Sequence, residues 1–215
     1  MDELVVVGGL APSLLIDQEE LPQGVDPHAG TMDLDIGLAL ALLDERRYET
    51  LTERLRRAGF SPDKNNRGKL TRQRWMINKA EKITVDFLIQ PSLPNDEPGK
   101  LRSIEPHFAA MITDGLHLAF QDRTRISISG KTIMGERATR DVWVCGPGAF
   151  IVLKALAFES RGENKDAYDL FYLIRNFQSG VEGIANRLKP LLTDLFAQKA
   201  CAVLNRNFLE HDGDR

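Results

Sequence analysis

The sequence predicts a mixed α/β fold (α+β in layout), with strands confined to residues 1–145 and a purely helical stretch over 146–215. Up to Cys145 the chain offers short β-branched or alternating runs, VVV, ITVDFLI and DVWVC among them, with an amphipathic helix between. From Pro147 onward the strand signature stops and apolar residues recur at helical spacing. A length of 215 residues accommodates one compact domain with an appendage, or two small ones, at roughly 100–200 residues per domain.

Residues 3–7 (ELVVV) form a short buried strand that runs into a turn at Gly8-Gly9. LAPSLLI follows as a short helix, with Pro12 tolerable in its first turn. Residues 17–30, rich in acids, prolines and glycines, are a loop, and residues 31–40 (TMDLDIGLAL) a second strand. Residues 44–58 are a helix with Tyr48, Leu51 and Leu55 on one face, closed by Gly59. SPDKNNRGK is a turn, and LTRQRWMIN and KITVDFLI alternate at period two as a hairpin. Residues 91–100 are loop, and LHLAF, RISIS and DVWVC are short strands. PGAFIVLKALAFESR and NKDAYDLFYLIRNF are helices, with one or two more in GIANRLKPLL and DLFAQKACAVLNRNFL.

Composition narrows the function classes. Apolar residues make up 42% and charged residues 27%, as in an ordinary globular protein rather than a disordered one. Apolar runs such as residues 36–43 fall far short of the ~20 residues that span a bilayer, so no membrane association is expected. The acidic N-terminus lacks a signal peptide's basic start, and the two cysteines are 56 positions apart, so a cytoplasmic location without disulfides is expected. The net charge of −3 gives no global attraction for polyanions, but residues 54–82 hold ten Lys/Arg against two acids. That run is either a solvated face or a polyanion-binding one.

Four constellations carry chemistry. Gly8-Gly9, between a strand and a helix, lets backbone N–H groups approach a phosphate, though such a pair is also an ordinary turn. Asp33 and Asp35 are two apart on a strand and share a face, an arrangement that suits Mg²⁺ or belongs to two solvated acids on an edge. Asp86 is a lone acid in an apolar strand, where burial costs several kcal/mol without a partner or metal. A third carboxylate meeting the other two would complete a two-metal site, with ions about 3.5–4 Å apart. Finally, Lys154, Ala157, Phe158 and Arg161 share a helix face, and Lys165, Asp166 and Asp169 follow on the next helix. These residues either neutralise a triphosphate or hold a helix hairpin through surface ion pairs. The four histidines show no metal-ligand spacing, and no Gly-x-Ser-x-Gly or Walker loop is present.

Taken in order, Gly8-Gly9, Thr31-x-Asp33-x-Asp35, Asp86 and Lys154-x-x-Ala-Phe-x-x-Arg161 with Lys165-Asp166-x-Tyr-Asp169-Leu resemble the AbiEii/AbiGii-type nucleotidyltransferase toxin family. The resemblance covers roughly residues 3–175. It implies the polymerase-β-like nucleotidyltransferase fold, a mixed sheet flanked by helices, with a catalytic domain over 1–145 and a helical C-terminal domain over 146–215. It also implies Mg²⁺-dependent transfer of a nucleoside monophosphate from an NTP to an acceptor that is RNA, commonly tRNA, in characterised relatives, where a partner antitoxin is encoded alongside. The chain departs from the family in two places. Asp33 comes 24 positions after Gly9, and His28-Ala29-Gly30 stand where a basic residue is usual.

The roles that follow from the resemblance are specific. Asp33 and Asp35 bind both Mg²⁺ ions, and Asp86 binds the catalytic one near the acceptor hydroxyl. Gly8, Gly9 and Ser13 hold the β- and γ-phosphates, with Thr31 as a hydroxyl donor nearby. Lys154 neutralises the triphosphate, Lys165 is a further phosphate ligand, and Asp166 and Asp169 position Lys154, Arg161 or the sugar. Independently of the resemblance, the local excess of positive charge, read as a polyanion-binding face, offers Arg54, Arg57, Arg67, Lys69, Arg72 and Arg74 as RNA-binding residues. Two other readings stay open at this point: a nucleotidyltransferase acting on a small molecule, of the antibiotic-modifying kind, and a non-catalytic module that binds nucleotide or a protein partner.

Overall fold

The computed structural model describes residues 3–39, 45–65, 67–79, 81–132 and 135–209, with 45–50 and 209 by backbone only. Residue 40 of the second expected strand, residue 44 of the helix after it and the Tyr48 side chain lie outside that description. The chain is a mixed α/β protein with nine strands and seven α-helices among the described residues.

The sheet forms around the apolar strands. β1 (Leu4–Val7), β2 (Asp33–Leu38), β4 (Leu70–Asn78) and β5 (Lys82–Ile89) build its centre, with β3 (Ser61–Lys64) at one edge. On the other side β9 (Arg137–Cys145) runs parallel to β1 and carries β8 (Arg123–Lys131) as an antiparallel partner, giving the order β3-β4-β5-β2-β1-β9-β8. β5 exchanges neighbours midway. It pairs with β4 up to Asp86 and with β7 (Phe108–Ile112) from Leu88, and β6 (Leu101–Glu105) hangs on β7. Asp86 is therefore the last residue of β5 paired with β4, and β7 takes over one residue beyond Phe87.

Each face of the sheet buries its own core. On one face Val5, Val7, Leu88 and Val144 pack against the helical half, where Phe150, Val152 and Ala155 of α4 (Pro147–Arg161) are central. α5 (Asn164–Asn176), α6 (Gly180–Leu188) and α7 (Leu195–Leu204) surround α4. On the other face Trp75, Val85, Phe87 and Ile89 pack beneath Leu51 and Leu55 of α2 (Glu45–Arg57). α4 begins at Pro147, whose missing N–H costs nothing in a first turn, and ends at Gly162, whose φ of +65° suits glycine. Its first turn is tied down by Asp122, which accepts the Ala149 N–H at 2.8 Å and Arg187 Nε at 2.5 Å.

Two local expectations need correction. LHLAF is not a strand but contains the short helix α3 (Leu118–Gln121), because the adjacent Leu118 and Ala119 are both buried, which a strand would send to opposite faces. SPDKNNRGK is not all turn, since its first four residues are β3. Pro62 is tolerated there because β3 is an edge strand. The short helix expected in LAPSLLI is the five-residue α1 (Ala11–Leu15), entered through a 3₁₀ turn over Gly8–Leu10. No helix of the described residues is long and apolar enough to cross a membrane.

Candidate active site

Strand register places the acids. Val7 pairs with Asp35, Asp35 with Asp86, and Asp86 with Arg74, so four neighbouring strands present these residues in one row. Registered residues share a face, here the one covered by the helical half. Asp33 lies two residues before Asp35 on the same face and pairs with Thr84, whose hydroxyl donates to Asp33 Oδ1. Asp35 faces Gly8, which has a φ of +74° and where any Cβ would overlap the Asp35 carboxylate. Glycine is thus required there both for backbone and for space. Burial first, then the charge of Asp86 and to a lesser degree Asp33, pushes the Asp35 pKa up to about 6, against the pull of Lys154 and Arg161.

The cations come from α4 and α5. Lys154 Nζ lies 2.9 Å from Asp166 Oδ1 and 2.6 Å from Asp169 Oδ2, and its side chain is 5% exposed. Arg161, two turns further along α4, holds the same Asp166 with Nε at 2.7 Å and Nη2 at 2.6 Å. Burial pulls Asp166 and Asp169 upward, but hydrogen bonds from Arg161 and Lys154 to the first, and from His28 and Lys154 to the second, outweigh it and hold both below the usual carboxylate range.

Lys165, like Arg161, is an exposed cation of this group. Its Nζ donates to Thr31 Oγ1 at 3.4 Å, and the same oxygen accepts the Asp33 N–H at 3.1 Å. A Cβ on Gly9 would stand 3.4 Å from Lys165 Cε and 3.4 Å from Asp169 Oδ2. The glycine turn, Thr31, the Asp pair and Lys165 thus meet at one place. α1 is too short to add much helix dipole there, so the turn offers its backbone N–H groups more than a macrodipole.

One residue of the site was not legible in the sequence. His28 is buried, and its Nε2 lies 3.0 Å from Asp169 Oδ1. Its Nδ1 accepts the Gly30 N–H at 3.1 Å and lies 3.0 Å from Ser13 Oγ. Because a backbone N–H only donates, Nδ1 is the acceptor and Nε2 carries the proton given to Asp169. Tyr168 stacks on the ring at 5.3 Å and Tyr172 meets it edge-on at 4.8 Å. Gln18 Oε1 accepts both the His28 N–H and the Tyr172 hydroxyl, so the 17–30 loop is fastened to α5. The only sequence signal was the Tyr168/Tyr172 pair one helical turn apart.

The expected residues Gly8, Gly9, Ser13, Thr31, Asp33, Asp35, Asp86, Lys154, Arg161, Lys165, Asp166 and Asp169 therefore lie in one neighbourhood. The basic set does not. Arg74 belongs to the row of acids, whereas Arg54 and Arg57 leave α2 on the opposite layer, where Arg56 covers the Trp75 ring at 5.6 Å. Asp33, Asp35 and Asp86 match a hard divalent cation in donor type, and Asp35 is unfavourable in its charged form without one. They are not assembled around a common point, however. Asp33 is turned to Thr84 and Asp86 to Arg74, and no three His, Cys, Asp or Glu of the described residues are grouped to hold a metal ion.

No protein-family model matches the chain, and no curated protein does. Among solved structures it is similar to one described as an antigenic nucleotidyltransferase-like protein from Paracoccidioides brasiliensis. The TM-score is 0.43 and the identity 17%, over 95% of this chain and 79% of that one.

Proposed function

We propose that this chain transfers a nucleoside monophosphate from an NTP to a hydroxyl of RNA and releases pyrophosphate. The observation that carries the reading is the registered pair Asp35 and Asp86, with Asp33 on the same face, beside a glycine turn that lies against Lys165. In this reading the acceptor oxygen attacks the α-phosphorus, the α–β anhydride bond breaks, and the electron pair leaves with pyrophosphate. Asp33, Asp35 and Asp86 would hold two Mg²⁺ ions, which supply charge neutralisation and a lowered acceptor pKa. Asp86 receives the hydroxyl proton. The Gly8-Gly9 turn and Lys165 grip the β- and γ-phosphates, and Arg161, half-exposed beside Asp166, adds positive potential.

Lys154 takes a different part from direct neutralisation. Its ammonium is already held by two carboxylates away from solvent, so it is a positioning residue that fixes Asp166 and Asp169. His28 supports Asp169 from the other side. A tRNA acceptor and a toxin role with an antitoxin partner extend the proposal through the resemblance to the AbiEii/AbiGii-type family. The test is to incubate the protein with Mg²⁺ and each α-labelled NTP, offering total RNA in one reaction and a panel of hydroxylated small molecules in another. Label in RNA supports the proposal, and label only in a small molecule replaces it with the antibiotic-modifying type of reaction.

A further inference from the structure

Arg74 engages both oxygens of Asp86. Its Nε lies 2.9 Å from Oδ1 and 3.0 Å from Oδ2, and its Nη2 2.5 Å from Oδ2. These contacts occupy most of the carboxylate's roughly four lone-pair directions, and the guanidinium charge opposes a cation beside them. The pair thus weakens Asp86 as a metal ligand for as long as it is closed.

Arg74, whose side chain is 42% exposed, is also one of the residues lining a cavity of about 500 Å³. Lys64, Asn65, Arg67, Thr71, Gln73 and Arg74 line it. Its one acid, Asp63, is taken up by Lys82 at 2.8 Å, so the remaining lining is cationic and polar. The walls are fixed. The Thr71 hydroxyl donates to the Asp63 and Arg74 carbonyls, and Asn65 Oδ1 accepts the Arg67 and Lys69 N–H groups. The register shift between Pro62 and Lys64 opens the β3–β4 edge at this point.

We propose that this cavity takes a phosphodiester of the acceptor RNA, and that Arg74 is a latch between the two sites. This rests on the nucleotidyl-transfer reading above. Without acceptor, Arg74 closes Asp86. With a phosphate in the cavity, the guanidinium exchanges one bidentate oxyanion for another of similar geometry and Asp86 is left free to join Asp33 and Asp35. The two sites are then coupled: acceptor tightens divalent-cation binding, and the cation tightens acceptor binding by the same factor.

The experiment titrates Mn²⁺ by electron paramagnetic resonance, without NTP, with and without a saturating ten-nucleotide oligouridylate whose own Mn²⁺ uptake is subtracted. For the wild type the oligonucleotide should raise Mn²⁺ affinity by about 5- to 150-fold, the usual span of such couplings. Arg74→Gln should bind Mn²⁺ about as tightly without RNA as the wild type does with it, and RNA should add nothing. Arg67→Gln, which removes the same charge from the cavity but does not touch Asp86, should leave the RNA-free affinity at the wild-type level. An RNA-independent affinity in the wild type overturns the latch, and that arm requires no variant to fold. An undiminished RNA effect in Arg74→Gln overturns it too, because bulk charge alone then explains the coupling. Asp35→Asn separates the two layers of the argument. If it binds Mn²⁺ like the wild type, the metal is not at these carboxylates and the nucleotidyl-transfer reading falls as well. If it loses Mn²⁺ while the wild type shows no coupling, only the latch is lost.

Discussion

Replacing Asp35 by Asn should stabilise the protein while removing the proposed nucleotidyl transfer. The Asp35 carboxyl rises from an ordinary 3.8 to about 6, mainly through burial and then through the neighbouring Asp86. About two units at 1.36 kcal/mol each make the ionised group about 3 kcal/mol costlier in the folded chain than in the unfolded one. Asn has the same shape and no charge, so a gain of about 2–3 kcal/mol at pH 7.5 is expected, or about 5–10 °C in Tm for a chain of this size. Between pH 3.8 and 6 the folded wild type binds the extra proton and the unfolded chain does not, so wild-type stability rises as pH falls through that window. The advantage of the Asn variant shrinks over the same window and is gone near pH 4. Divalent cation should cancel this advantage at about one hundred times Kd and reverse the order at about one thousand times Kd, where binding to the folded wild type alone adds about 4.1 kcal/mol. Thermal melts of both proteins from pH 4 to 8, with and without Mg²⁺, read all three effects. A variant less stable than the wild type at pH 7.5, or a difference indifferent to pH, would refute the reasoning.

Lys154→Met should lower stability by about 3–5 kcal/mol in thermal melts, because it leaves Asp166 and Asp169 buried with one cation fewer. Those two carboxylates are held below their ordinary range, so the stability they confer is present above about pH 4 and is lost as pH falls through their folded values. An acid titration of the wild type should show that loss, and a flat profile would contradict it. Gly8→Ala should abolish transfer and cost at least about 1–2 kcal/mol, the usual cost of a left-handed residue with a Cβ, measured by activity and melting together. His28→Ala should free the 17–30 loop from α5 and expose it to limited proteolysis, whereas protection equal to the wild type would mean the other loop contacts suffice.

Where local pattern decides the structure, the sequence was transparent. β4 and β5 fall on the two alternating runs, and α4 runs from its proline to the residue before its glycine. β7 lacks that pattern, because its neighbours cover both faces: Phe108, Ala109 and Ala110 are buried in succession, without the alternation that announces a half-buried strand. The same division holds at the site. Asp33 and Asp35 show their shared face through a spacing of two, and Asp86 shows itself as an acid among apolar residues. The Arg74–Asp86 pair depends on the hairpin register, which periodicity leaves open. His28 meets Asp169 across 141 positions, through a contact that only the closed fold creates.

The central claim is that the row of acids at β2 and β5 supports nucleotidyl transfer. It is tested most directly by supplying NTP labelled separately at the α and γ phosphates to the wild type and to Asp35→Asn, with Mg²⁺ and RNA. The account predicts α-label incorporated into RNA, γ-label released as pyrophosphate in equal amount, and neither with the variant. Incorporation of γ-label into RNA, or equal α-label transfer by Asp35→Asn, would contradict it.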